Sequence, residues 1–160
     1  MRRWLHIAVF LWLCLAGSAR AQVLLATPLP VEPPLLTVSL PGKSIDQAYE
    51  SLLRAIGQQN YTFVRDQAIG SRLVPQQWEA KNVRIVYFCN FAKMDRALSI
   101  DIRAAQILPC RITLIETAKG VDLMAINPAW SSLNLGNPLL YPQCQELKRD
   151  YLAIMEEAAL

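Results

Sequence analysis

Five strand-like runs crowd into residues 35–126, and their close spacing is what most narrows the fold. A parallel sheet needs a crossover of a dozen or more residues, usually a helix, between neighbouring strands. The last two runs, 110–117 and 121–126, are nearly contiguous, and Lys119-Gly120 suits a hairpin turn between them. Residues 35–40 alternate Leu36, Val38 and Leu40 with Leu35, Thr37 and Ser39, the period-2 pattern of a half-buried strand, and Pro41-Gly42 ends it. Residues 60–66 alternate Tyr61, Phe63 and Arg65 with Thr62, Val64 and Asp66. Residues 83–89 are β-branched or aromatic throughout except Arg84 and Cys89.

Helical patterns fall between and after these runs. Ser44-Ile45-Asp46-Gln47 is a capping box. It predicts a helix to about Ile56 with Ile45, Ala48, Tyr49, Leu52 and Ile56 on one stripe, stopped by Gly57 in a left-handed turn. Met94, Ala97, Leu98 and Ile102 predict a second helix from Lys93 to about Ala105. Pro142 suits the first turn of a closing helix that carries Cys144, Leu147, Tyr151, Ile154, Met155 and Ala158 on one face. Residues 67–82 are mixed and polar. Residues 127–142, punctuated by Pro128, Gly136, Pro138 and Pro142, read as a long loop. The order predicts an α+β fold: a two-layer sandwich, an antiparallel sheet with helices on one face.

Ahead of this domain, residues 1–21 have the three parts of a signal peptide: Arg2 and Arg3, an apolar run from Trp4 to Leu15, and the small-x-small site Ala19-Arg20-Ala21. A membrane span needs about 20 apolar residues, and this run is shorter. Cleavage near Ala21 and a periplasmic or secreted location are expected, with no membrane attachment afterwards. Residues 22–34 read as a proline-rich linker, with four prolines among residues 27–34. The domain is expected over 35–160.

Loss of the leader changes the charge. Arg2, Arg3 and Arg20 leave and no acid does, so 13 of the 16 basic residues face 13 acidic ones. A nucleic-acid surface needs clustered excess positive charge, and none is left. The single histidine, His6, leaves too. Ser-His-Asp and Cys-His catalysis, histidine zinc sites and histidine-ligated haem are thereby excluded from the mature chain.

Cys89, Cys110 and Cys144 survive processing. Cys89 ends one strand and Cys110 opens the next long one. If those strands are antiparallel neighbours their ends meet, and a disulfide closing about 22 residues would stabilise by about 3 kcal/mol. Free or metal-binding thiols and a redox-active pair are the alternatives. The Cys-x-x-Cys spacing that tunes thiolates is missing. Cys144 is a possible free thiol, either a buried inert one or one activated at a helix N-terminus. Asp95, Arg96, Asp101, Arg103 and Arg111 form either a pocket at the end of the sheet or a solvated face. Trp78 and Trp130 suit core or a dimer interface.

Three blocks together resemble the family called domain of unknown function 302: Val86-Tyr87-Phe88-Cys89-Asn90-Phe91-Ala92, Ile107-Leu108-Pro109-Cys110-Arg111-Ile112-Thr113-Leu114, and Met124-Ala125-Ile126-Asn127-Pro128. The resemblance covers roughly residues 35–158. It implies a β-α-β(4)-α, TATA-binding-protein-like sandwich, often dimeric, and brings no catalytic residues. Many relatives have proline after Cys-Asn where this chain has Phe91.

The reading that follows is a non-catalytic, exported module that binds a small ligand or a partner protein as a homodimer, with no cofactor. The alternative is a thiol-based redox or soft-metal protein using Cys89 and Cys110. Thiolate and thioether ligands suit copper(I), and Met94 or Met124 could assist. A carboxylate hydrolase using Asp95 and Asp101 has no spacing signature behind it.

Overall fold

A computed structural model of the chain describes residues 31–69 and 83–160. The expected leader, most of the proline-rich segment and Trp78 lie outside the described residues. In chain order the elements are β1 (Leu35–Pro41), α1 (Ile45–Gln58), β2 (Thr62–Ala68), β3 (Val83–Cys89), α2 (Phe91–Ile100), a 3-10 turn (Ile102–Gln106), β4 (Cys110–Thr117), β5 (Gly120–Ile126), α3 (Pro128–Leu135) and α4 (Tyr141–Ala159). The strands form a sheet in the order β1-β5-β4-β3-β2. Every neighbouring pair is antiparallel, as the strand spacing predicts.

The inward positions of the strands make one side of the core: Leu36 and Leu40, Val86 and Phe88, Ile112 and Leu114, Val121 and Leu123. Against them lie Ala48, Leu52, Ala55 and Ile56 of α1 and Tyr151, Ile154, Met155 and Ala158 of α4. Burying a side chain such as Leu52 or Ile154, both at 0% exposure, contributes roughly 1.5–3 kcal/mol. β2 contributes no buried residue. It is an edge strand, and a bulge between Phe63 and Arg65 breaks its register with β3. Such bulges are one way edges are kept from pairing with other chains.

The capping box forms as read, with the Ser44 hydroxyl accepting from Gln47 N and the Gln47 amide oxygen accepting from Ser44 N. Gly57 does not stop α1. The helix runs through it to Gln58, and Asn60, at φ 59, takes the left-handed position. The second predicted helix is two pieces, α2 and the 3-10 turn. The Asp101 carboxylate divides them by accepting from Arg103 N and capping the turn.

The loop expected over 127–142 contains α3. The Asn127 side chain caps it by accepting from Ala129 N, Pro128 sits in its first turn, and Gly136 ends it at φ 66. The body also extends further toward the N-terminus than the sequence suggests. Residues 31–34 belong to the same unit as the sheet, because the Glu32 side chain, 5% exposed, is drawn in by α4. Lys148 Nζ donates to it at 2.7 Å, Tyr141 Oη at 3.1 Å, Asn127 Nδ2 at 3.0 Å, and Gln145 Nε2 donates as well. No helix among the described residues is long and apolar enough to cross a membrane.

Candidate functional site

The ends of β3 and β4 set the site. Phe88 stands opposite Cys110 in the antiparallel register, so Cys89 lies one residue beyond the pair. Asn90 then turns the chain into α2, its side chain accepting from Lys93 N. α2 has no buried residue of its own and lies as a partial cover over this end of the sheet. From the far end of the sequence, α4 brings its first turns alongside. Between them is a cavity of about 30 Å³, lined by Cys89, Met94, Cys110 and Cys144 together with Ala97, Leu108 and Leu147. A buried water needs roughly 10–15 Å³, and a drug-sized ligand about 300–1,000 Å³. The cavity therefore admits an ion or a molecule of two or three heavy atoms.

All three cysteines are buried, free thiols. The Cys89–Cys110 disulfide suggested by the sequence is not formed. The one-residue offset leaves Cys110 across from Phe88, and the Cys89 thiol turns instead to Met94, with Sγ 3.7 Å from Sδ. Burial pushes the Cys89 thiol up. It pushes Cys110 up to about 12, against an opposing hydrogen bond with Tyr151. Cys144 rises to about 11 by burial, opposed by Ser132. The start of α4 does not activate Cys144, because burial outweighs any dipole effect there. Thiols held this high are protonated near neutral pH and poor nucleophiles.

One side of the cavity is polar. Tyr61 Oη donates to Asp150 Oδ2 at 2.6 Å. Lys93 Nζ reaches the same oxygen at 2.5 Å and Glu146 Oε1 at 2.8 Å. Desolvation works against the Lys93 ammonium, yet the two carboxylates hold its pKa above the usual value. Lys93 is thus a committed cation, and the cluster of Lys93, Glu146 and Asp150 carries one net negative charge. The ring of Tyr61 packs edge-on against Phe88 at 5.4 Å between centroids, tying this cluster to the core.

The other sequence candidates lie elsewhere. Asp101 and Arg103 pair with each other at 2.7 Å, and Asn137 Nδ2 also donates to Asp101. The Arg103 hydrogen bonds hold the Asp101 carboxyl well below its usual range. Arg96 reaches Gln143 at 3.4 Å and Glu146 at 4.0 Å. Asp95 and Arg111 are exposed. None of the five lines the cavity. Trp130 is exposed on α3. Nothing in the sequence marks Tyr61, Lys93, Glu146 and Asp150 as site residues, because they meet only when α4 docks beside α2, which no local spacing announces.

Residues 36–158 match the family described as Domain of unknown function DUF302. The chain belongs to that family. The DUF302 domain takes in all five strands, the cavity and most of α4, so the cavity is built wholly from family-domain residues. Among solved structures the chain is similar to an uncharacterized conserved DUF302 protein from Bacillus stearothermophilus, with a TM-score of 0.71 at 15% identity over 79% of this chain and 99% of that one. At that identity the likeness shows the fold. No curated protein matches the chain. Phe91 occupies the first position of α2, and the Asn90 side chain caps the helix by accepting from Lys93 N.

Proposed function

We propose that this DUF302 chain is an exported, non-catalytic binding module that takes a small ligand into the cavity between α2, α4 and the ends of β3 and β4. One observation carries the reading: three thiols and a thioether converge on a single space of about 30 Å³. High thiol pKa values speak for binding and against nucleophilic or redox turnover. The leader pattern of residues 1–21 supports export, and the family resemblance supports a homodimer.

Native mass spectrometry of the protein purified from its own cell envelope tests all three parts. The expected result is a dimer of chains beginning at Gln22, carrying a small bound mass that a Leu147→Trp variant excludes. Chains with no bound mass, or rapid turnover of a defined substrate by the purified protein, would overturn the reading.

A further inference from the structure

The walls of the cavity differ in how firmly they are held, and that difference gives a bound ligand its way in and out, granted that the cavity is the binding site. The ends of β3 and β4 are fixed by their antiparallel pairing. α4 is fixed by Tyr151, Ile154, Met155 and Ala158, all buried in the core. Of these walls α2 alone has no buried residue. Its two apolar contributions to the lining, Met94 and Ala97, are half-buried. Local opening costs least where little buried apolar surface has to be uncovered.

The flanks of α2 are suited to absorb a displacement. Asn90 (φ −111, ψ 107) and Asp101 (φ −156, ψ 115) both have extended backbone, one at each end of the helix. Residues at the ends of elements are where hinges form. Beyond them the chain is anchored again, at β3 on one side and at Ala104, buried against Leu140 and Cys144, on the other. Between the hinges, Lys93 ties the helix down. Its Nζ reaches Glu146 Oε1 at 2.8 Å and Asp150 Oδ2 at 2.5 Å, both on α4. One turn on, Arg96 reaches Glu146 only at 4.0 Å. The side chains of Lys93, Glu146 and Asp150 are 31%, 36% and 21% exposed. Ion pairs so open to solvent are modest in strength, so they break and re-form. We propose that α2 is a hinged flap over the cavity and that Lys93, held by Glu146 and Asp150, is its latch.

Cys89 reports the opening, because it is 4% exposed and its thiol is bonded to Met94 of the flap. The test follows maleimide modification of Cys89 in the native, reduced, leader-free protein, located by peptide mass, alongside the urea midpoint. Lys93→Met should speed modification about tenfold, beyond what any fall in the midpoint accounts for. Glu146→Gln combined with Asp150→Asn frees the latch from the α4 side and should do the same. Lys93→Arg keeps the cation and should keep wild-type protection. Added salt should speed the wild type and leave Lys93→Met nearly unmoved, since screening acts on the intact ion pairs. Unchanged modification in both latch variants, or an acceleration that only tracks global stability, would overturn the proposal. The mass carried by envelope-purified chains keeps this apart from the binding reading. Bound mass with Cys89 unmoved in the variants would sink the latch and leave the site standing; faster Cys89 modification with no bound mass would keep the latch and sink the site.

Discussion

A single carboxylate shows how strongly one residue can be committed. Burial alone would raise the Glu32 pKa, but Lys148, Asn127, Gln145 and Tyr141 outweigh it and lower the value from 4.5 to about 2. Because the folded value is depressed, the contact stabilises fully above the unfolded value and is lost as pH falls from about 4.5 toward 2. Glu32→Gln should therefore cost about 2 kcal/mol at pH 7 in urea unfolding, and the gap to wild type should close below pH 3. A constant gap across that range would mean the carboxylate's charge contributes nothing. Phe91 gives the opposite case. It is exposed and sits at the first helical position, where proline is at home, and Asn90 already has extended backbone (φ −111, ψ 107) suited to a following proline. Phe91→Pro should be neutral or stabilise by up to about 1 kcal/mol, read from the shift in urea midpoint.

Among the elements, those with strong local patterns were the legible ones. Strands β1, β3, β4 and β5 and helix α1 show in alternation, β-branching and a capping box, all properties of neighbouring residues. α3 was misread because Pro128 and Gly136 are punctuation in two senses: they mark loops, and they also mark the first turn and the left-handed end of a short helix. Alternation along β2 did not translate into burial: none of its residues joins the core, whereas the other edge strand, β1, buries Leu36 and Leu40. The cavity was half legible. Cys89, Cys110, Cys144 and Met94 all stood out as sulfur, but their convergence depends on α4 docking from residues more than thirty positions away. The β4–β5 hairpin makes a prediction of its own. Gly120 has φ +141, and a Cβ there would lie 2.3 Å from Leu40 O of β1. Gly120→Ala should destabilise by about 2 kcal/mol or more and loosen β1 first, seen as faster amide exchange in Leu36–Leu40.

Over the described residues as a whole, the cysteine thiols are placed where solvent barely reaches. Cys89, Cys110 and Cys144 are each under 5% exposed, and their thiols are protonated near neutral pH. Brief treatment of the native, reduced, leader-free protein with iodoacetamide at pH 7.5 should add no mass, whereas the same treatment in urea should add three adducts. Rapid labelling of the native protein would mean that α2 opens readily and leaves the thiols within reach of solvent. That outcome would bear on α2 in particular, since it is the one wall element that buries nothing of its own.

Glu32 has a mechanical corollary. Gln145 and Lys148, which grip it, share a helix with Cys144 and Leu147, which face the cavity. Tension at residue 31 is thus shared between the helix that walls the cavity and, through Asn127, the end of β5. A force entering at Glu32 would therefore be felt at the cavity wall as well as at the sheet.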